Sequence, residues 1–182
     1  MITIEINPPP NLDRIIRILG TIPNALNRAG KSAVRRTIKG GKEDAAQKVK
    51  ARYTIAVGEV LKTIRTTASG LTGEMKSKGS RNPLKKFLLK PKIRVNPQPP
   101  IGLWAQNVKG QGGDIPHSFS KYSGGIFERT TPERFPIRSF TGPSAPSMLN
   151  SPPVSSYIVS KMQERMEKNL NHECLAVLGG FL

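Results

Sequence analysis

The amino-acid sequence predicts an α+β fold, in which a small mixed or antiparallel sheet is packed by N-terminal helices and a long C-terminal helix. Three observations support this class. Apolar residues recur at helical spacing near the N-terminus, alternate with polar residues in the middle, and recur every four residues near the C-terminus. We expect a single domain over residues 1–182, with basic helices over 11–52, a β-rich region with loops over 54–140 and a helix over 151–178.

Alternation and helical spacing define the N-terminal elements. Isoleucines at positions 2, 4 and 6 predict a short opening strand. Asn11 is expected to cap a helix, and a second helix is predicted from Pro23 to Ile38 with cations on its outer side. Gly40-Gly41 is expected to interrupt this helix, because glycine is a poor helix former, before helical spacing resumes as far as about Arg52.

The β-rich region begins with a predicted hairpin. The β-branched residues of 63–69 favour a strand, and Ser69-Gly70 is expected to turn the chain into a partner strand over 71–78. Residues 101–108 predict another strand. Residues 110–113, with the sequence Gly-Gln-Gly-Gly, are expected to form a flexible loop, and they lack the spacing of a dinucleotide or phosphate loop.

The stretch from 124 to 149 is predicted to contain two short strands, a turn and a rigid exit. Ile126–Arg129 alternates bulky and polar residues, which suits a strand with one buried face. Thr131-Pro132-Glu133 can turn the chain, because proline favours the first inner position of a common β-turn. Residues 134–140 are then predicted to return as the second strand.

Prolines set two further expectations for this stretch. Phe135 and Ile137 are predicted to share one face of the return strand. Pro136 has no backbone N–H to donate, so we expect the return strand to lie at a sheet edge. Residues 142–147 contain two prolines and are predicted to form a constrained loop that fixes the direction of the next segment.

A long C-terminal helix is predicted from Ser151, which can cap it, to Gly179-Gly180, which should end it. Apolar residues form a ridge along one side of this helix: Ile158, Met162, Met166, Leu170, Cys174 and Leu178. We expect the ridge to cover the sheet. Packing of part of the ridge against a second copy of the chain is the alternative.

Positive charge is the dominant feature of the composition. The chain has a formal net charge of +17, with 29 Lys and Arg against 12 Asp and Glu. Residues 1–110 hold 22 Lys and Arg against 6 Asp and Glu, whereas residues 111–182 hold 7 against 6. A basic half joined to a nearly neutral half predicts a surface that faces an acidic partner, which is either nucleic acid or an acidic protein.

Two basic segments supply candidate residues for that surface. Cations line one side of the second helix, and residues 76–94 hold eight Lys and Arg interleaved with apolar side chains. Such segments can contact phosphates, but a solvated basic face above a packed core is the plainer interpretation of both. The residues expected to face DNA or an acidic protein are Arg28, Lys31, Arg35, Arg36, Lys85, Lys86, Lys90 and Lys92.

No constellation of residues indicates catalysis, so we expect a protein that is not an enzyme and holds neither a metal nor a cofactor. His117 and His172 are far apart, without metal-ligand spacing around either. Cys174 is the single cysteine; it falls on the apolar ridge and is predicted to be a buried structural thiol in a reducing compartment. The first residues lack the apolar core of a signal peptide, and no apolar run approaches the ~20 residues of a membrane helix, so no membrane contact is expected.

Several strings of this sequence resemble one known family. They are Ile126-Phe127-Glu128-Arg129, Arg134-Phe135-Pro136-Ile137-Arg138 and Gly142-Pro143-Ser144, with a long helix after them. The runs 25–33 and 49–53 fit the same pattern near the N-terminus. Together these strings resemble the prophage minor tail protein Z family, the tail-completion proteins of tailed bacteriophages, and they bracket about the whole chain.

The resemblance implies a structural protein of the virion tail or neck, made in the cytoplasm of a host bacterium. It would act late in tail assembly at the head-proximal end of the tail, as a homo-oligomeric ring that contacts a tail terminator, tail tube or connector protein, with non-specific DNA contact left open. The candidate interface residues are Phe127, Arg129, Arg134, Pro136, Ile137, Gly142 and Pro143. The alternative is that these residues only close the chain's own sheet, and the alternative function is a basic nucleic-acid-binding module.

Overall fold

The computed structural model describes residues 2–5, 17, 24–90, 103–120 and 125–179. Within these ranges the α-helices are α1 (Ala25–Arg52), α2 (Val57–Leu61), α3 (Ala145–Leu149) and α4 (Pro152–Leu178). The helix predicted to start at Asn11 lies outside the described residues except for Arg17, which is helical.

The strands form several small antiparallel sheets. They are β1 (Ile2–Glu5), β2 (Ile64–Ser69), β3 (Thr72–Ser77), β4 (Arg81–Pro83), β5 (Leu88–Lys90), β6 (Leu103–Val108), β7 (Gln111–Ile115), β8 (Ser118–Ser120), β9 (Ile126–Arg129), β10 (Ile137–Ser139) and β11 (Thr141–Ser144). The strand orders are β1-β3-β2, β5-β6-β7, β10-β9-β8 and β11-β4. Long helices beside antiparallel sheets confirm the predicted α+β class.

The first sheet follows the prediction from sequence. The opening strand β1 pairs with β3, and β2 pairs with β3 as the predicted hairpin. The chain reverses at Ser69-Gly70, where Gly70 has a φ of +58°, a left-handed conformation that glycine adopts without strain. Alternating burial along β3, which includes Met75 and Ser77, turns one side of this sheet toward α1.

Helix α1 lies at the centre of the packing. Its Val34 and Ile38 pack over Gly73 of β3, where the absence of a side chain makes room for them. Other positions of α1 face α4: Arg165 Nη2 donates to Asp44 Oδ1 at 2.9 Å. Nearby, Asn169 Nδ2 donates to Thr37 Oγ1 at 3.0 Å. Helix α1 therefore joins the first sheet to the C-terminal helix.

The predicted break at Gly40-Gly41 is wrong, because α1 continues through both glycines. A Cβ on Gly41 would lie 3.0 Å from Met162 Cγ, and one on Gly40 would lie 2.7 Å from Arg165 Nη1. The glycines let α4 approach closely, so tertiary packing outweighs the cost of about 1 kcal/mol that each glycine imposes on a helix.

The predicted position of the C-terminal ridge is also wrong. The ridge packs against α1 rather than covering a sheet. Its residues from Ile158 to Cys174 are buried, whereas Leu178 is 48% exposed. Helix α4 begins after Ser151 as predicted, although the Ser151 hydroxyl donates to Met148 O at 2.8 Å rather than capping the helix. The helix ends before Gly179, as expected.

The predicted flexible loop at 110–113 is largely a strand. Gly110 forms the turn with a φ of +80°, and Gln111–Ile115 then pairs with β6 as β7. The ring of Trp104 lies so close to Gly112 that a Cβ there would collide with it. Gly112 therefore admits an aromatic side chain over the strand, and Gly110 adopts the left-handed conformation of the turn.

The predicted constrained loop at 142–147 is a strand followed by a helix. Strand β11 pairs with β4, and α3 starts directly after Ser144. The Ser144 hydroxyl accepts a hydrogen bond from Ser147 N at 3.2 Å, which caps the short helix. Proline at the first turn of α3 costs no intrahelical hydrogen bond, so a proline-rich sequence is compatible with a helix here.

We predict that Gly73→Ala destabilises the protein by about 1–3 kcal/mol, because a new methyl group would overpack the contact between β3 and α1. Its Cβ would lie 2.9 Å from Val34 Cγ1 and closer still to Ile38. Gly113→Ala is the control, since nothing lies within 4 Å of a Cβ at that strand position. Urea unfolding should show a change within about 0.5 kcal/mol for the control. Equal effects of both substitutions would contradict this account of the packing.

Candidate interaction surfaces

Strand β10 lies at the edge of the sheet β10-β9-β8, which confirms the edge predicted from sequence. The strand covers Ile137–Ser139 rather than the whole of 134–140. Thr130 N donates to Pro136 O at 3.2 Å, so the turn takes up the residues between them. Phe135 therefore lies outside the strand and is 59% exposed, and the prediction that it shares a strand face with Ile137 is wrong.

The backbone hydrogen bonds show which groups of β10 point outward. Phe140 N donates to Ile126 O at 2.8 Å, so Phe140 and Ile126 form a hydrogen-bonded pair. Arg138, two residues before Phe140, lies opposite Glu128. Hydrogen-bonded pairs alternate along an antiparallel ladder, so Arg138 bonds to β9. Ile137 and Ser139 consequently turn their N–H and C=O groups away from the sheet. Among the described residues, no strand pairs with that outer side.

Pro136 has a different role from the one expected. Its carbonyl accepts hydrogen bonds from Thr130 N at 3.2 Å and Thr130 Oγ1 at 3.1 Å, so it faces the inner side of the hairpin. The missing proline N–H ends the ladder with β9. The donors on the outer side of β10 are left intact, and they remain able to pair with another strand.

Every residue of the loop that joins β9 to β10 is exposed, and we call residues 129–139 the hairpin arm. Two arginines of the arm lie beside aromatic rings: Arg134 Cζ is 5.8 Å from the centre of the Phe135 ring, and Arg129 Cζ is 5.8 Å from the centre of the Phe119 ring on β8. Arg138 forms an ion pair with Glu128 across the two strands. Exposed aromatic residues with arginines are typical of protein interfaces.

The structure separates the seven candidate interface residues into two groups. Those on the β9–β10 hairpin are Phe127, Arg129, Arg134, Pro136 and Ile137. The other two lie inside the pairing of β11 with β4. A Cβ on Gly142 would lie 2.5 Å from Phe87, and Pro143 O accepts a hydrogen bond from Asn82 Nδ2 at 2.9 Å. Gly142 and Pro143 thus have packing roles within the chain.

Phe135 belongs to the arm but was not among the sequence-based candidates. Its exposure depends on the length of the turn, because a tighter turn would have drawn it into the strand. Alternation of apolar and polar residues gives no information on that length. One signal was available in the sequence. Phe135 directly precedes Pro136, and a residue before proline favours an extended conformation.

The candidate cations differ in what they contact. Arg36 Nε lies 2.9 Å from Glu173 Oε1, and Lys86 forms an ion pair with Glu59. Lys90 Nζ lies 5.2 Å from the centre of the Trp104 ring. Lys85 is exposed, and Lys92 lies outside the described residues. Arg36, Lys86 and Lys90 therefore make contacts within the chain.

Three of the other candidates, Arg28, Lys31 and Arg35, form a row on α1 that Lys39 continues. We call this set the basic row: Arg28, Lys31, Arg35 and Lys39. All four are exposed, and their spacing of three or four residues places them on one side of the helix. In the part of the chain that the structure describes, no carboxylate oxygen lies within 4.0 Å of their charged groups. Lys39 was not among the candidates chosen from sequence, although its helical spacing was visible there.

Other chemically reactive residues do not form a cluster in the described ranges. His117 lies in a turn with a φ of +56°, and His172 lies on α4. Within those ranges, no three His, Cys, Asp or Glu residues are grouped so that they could hold a metal ion. Cys174 is buried as predicted, and burial, followed by the nearby Glu173, raises the pKa of its thiol.

The fold and these surfaces define the class of the molecule: an α+β protein with an open sheet edge on a hairpin arm and a row of cations on a central helix. In the described residues, no helix is both long and apolar enough to cross a membrane. Comparison with family models, curated proteins and solved structures finds no match to the chain.

We predict that Arg36→Gln destabilises the protein more than Arg35→Gln. Glu173 is only 1% exposed, and its Oε1 has the ion pair with Arg36 but no hydrogen-bond partner of suitable geometry among the described residues. Removal of Arg36 leaves a buried carboxylate without its cation, at a cost of about 1–3 kcal/mol, below the range for fully buried pairs because the Arg36 side chain is 55% exposed.

Arg35 is the matched control, since it neighbours Arg36 on the same helix and is exposed without an ion pair in the described residues. Chemical unfolding of Arg35→Gln should show a change within about 0.5 kcal/mol. Similar stabilities of the two variants would mean that Arg36 does not stabilise Glu173.

We predict a pH-dependent contribution from Glu59 to stability. Hydrogen bonds from Lys62, at 2.7 Å, and from Lys86 lower the pKa of Glu59 from 4.5 to about 2. A carboxyl whose pKa is lowered by folding stabilises the protein above its unfolded pKa, and this contribution is lost as the pH falls from about 4.5 through about 2.

The test compares wild type with Glu59→Gln by unfolding at several pH values. The difference in the free energy of unfolding should be present at pH 7 and should shrink across the acid range. A difference that does not depend on pH would contradict the assignment of these two lysines to Glu59.

Proposed function

We propose that this chain is a structural assembly protein that works by contact with neighbouring proteins through its hairpin arm. The single observation that supports this most is the outer side of β10, where Ile137 and Ser139 direct N–H and C=O groups away from their own sheet. An open edge is a template for pairing with another strand, and proteins normally cover or block it.

The arm combines two features that suit strand addition. Backbone groups of an edge strand supply affinity, and flanking side chains supply specificity. Here the flanking side chains include Phe135, which is 59% exposed, and Arg134 beside it. The short strand and the charge on Arg138 limit unselective pairing. The partner should therefore supply a strand that pairs with β10 and a surface that fits the side chains of Arg134 and Phe135.

We propose a ring as the mode of assembly. On this proposal the open edge of one copy meets a different surface of the next copy, so the contact joins unlike surfaces. Contacts of this heterologous kind generate closed rings when the rotation between copies closes. A ring agrees with the resemblance to the prophage minor tail protein Z family, which implies tail completion at the head-proximal end of a phage tail.

On this proposal the neighbours are further copies of the chain and a tail terminator, tail tube or connector protein. The genes beside its own should then encode capsid, connector and tail-tube proteins. Deletion of the gene from such a phage should leave incomplete tails in electron micrographs, and wild-type protein supplied in trans should restore them. Normal tails after deletion would contradict the proposal.

We predict that Ser139→Pro abolishes association while leaving the fold intact. Proline removes the outward N–H of Ser139 and places its ring at the open edge, but it takes no donor from the ladder with β9. Ser139→Ala is the control, because it keeps the N–H. Sedimentation velocity should find wild type and Ser139→Ala associated and Ser139→Pro monomeric, with equal melting temperatures.

A second variant tests the arm without a new proline, which could unfold the strand locally. Arg134→Ala combined with Phe135→Ala changes only exposed side chains of the turn and should weaken association without changing the melting temperature. Unchanged association of both variants would contradict a role for the arm, as would a wild-type protein that remains monomeric and attaches to no tail component.

A further inference from the structure

The basic row differs from several other cations of the described chain because no carboxylate there forms an ion pair with it. Ion pairs elsewhere in the described chain use Asp44, Glu59, Glu74, Glu128, Glu164 and Glu173. None of these oxygens reaches the row. Along the helix the next carboxylate is Glu43, one turn after Lys39, and no ion pair joins the two. Within the described ranges, the positive charge of the row is therefore not neutralised by an ion pair.

The row is also held rigidly. Helix α1 packs against β3 through Val34 and Ile38, and it packs against α4 near Thr37 and Gly41. The cations project from the remaining side. Since the helix packs on two sides, the backbone that carries the four cations is already ordered, which reduces the entropy lost when a ligand binds.

From these observations we infer that the basic row binds the phosphate backbone of duplex DNA without reading its sequence. From Arg28 to Lys39 the row spans about 17 Å, because each residue advances a helix by about 1.5 Å. This length matches about five base pairs, each of which advances the duplex by about 3.4 Å. Four cations along one side of the helix can thus lie beside phosphates within a stretch of about five base pairs.

The chemistry of the row favours DNA over an acidic protein. Protein interfaces are depleted of lysine and centre on aromatic or apolar side chains. The row holds only Arg and Lys, and its neighbours Asn27 and Ser32 are polar. A repeating line of phosphates needs no apolar contact, because counterion release alone supplies the affinity.

The same chemistry favours duplex over single-stranded nucleic acid. Proteins that bind single strands stack the bases on aromatic side chains. The described part of α1 places no aromatic residue in or beside the row. Contacts limited to phosphates also predict no preference among sequences. This inference goes beyond the proposed assembly role and depends on different residues.

The test compares two variants of equal charge. The row variant carries Arg28→Gln, Lys31→Gln, Arg35→Gln and Lys39→Gln. The control variant carries Arg65→Gln, Lys78→Gln, Arg81→Gln and Lys168→Gln, four exposed cations on other elements that form no ion pair in the described residues. Each variant loses two arginines and two lysines, so the formal net charge falls by four from +17 to +13 in both.

Fluorescence anisotropy of a labelled random-sequence duplex measures affinity across a range of salt concentrations, and circular dichroism checks the fold. We expect wild type to bind with a steep salt dependence. Each lost phosphate contact reduces the slope of log K against log salt by about 0.9, so the row variant should lose about 3 to 4 units of slope. The control variant should stay within about one unit of wild type.

Several outcomes would overturn the inference. They are absence of duplex binding by wild type, equal losses in both variants, and tighter binding of oligo-dT than of duplex. Binding of poly-L-glutamate that depends on the row, when duplex binding does not, would assign the row to an acidic protein. The variant with Arg28→Lys and Arg35→Lys keeps the charge of the row and should retain binding. It therefore separates the effect of charge from the effect of substitution at these positions.

Discussion

The close approach of helices α1 and α4 is the constraint on which the rest of the structure depends. Gly40 and Gly41 leave room for Met162 and Arg165 at the point of contact. The distance between packed helices is set by the side chains that meet there, so bulkier residues would push α4 away. With α4 on one side and β3 on another, α1 presents the basic row on its remaining side. The basic row is thus a consequence of the packing.

The same arrangement keeps the two candidate surfaces separate. The hairpin arm belongs to the β8–β10 sheet, which is anchored through Ser118, whose buried hydroxyl accepts a hydrogen bond from Leu103 N at 2.9 Å. None of those contacts involves the row on α1. Ion pairs such as Arg36–Glu173 and Asp44–Arg165 hold the helices together. These pairs use carboxylates internally, which leaves the row without compensation by the described chain.

Much of the secondary structure follows from periodicity, but the tertiary arrangement does not. Alternation predicted β1, the β2–β3 hairpin and β9, and spacing of four predicted the ridge of α4. Periodicity identifies the apolar side of an element but not what it meets, which is why the ridge was assigned to a sheet instead of α1. Glycine misled the prediction at Gly40-Gly41 and Gly112 because close contacts with Met162 and Trp104 are long-range. The β9–β10 hairpin and three cations of the row were predicted, and the helical spacing of Lys39 was visible in the sequence, whereas the exposure of Phe135 required the turn geometry.

Hydrogen–deuterium exchange, measured by mass spectrometry at low and high protein concentration, tests most directly whether neighbours attach at the open edge of β10. Pairing with another strand would give the outward N–H groups of Ile137 and Ser139 a hydrogen-bond partner, so their exchange should slow as the protein associates. Peptides from the centre of α1 should not change. Association without slower exchange in residues 134–140, or slowing confined to α1, would contradict the account.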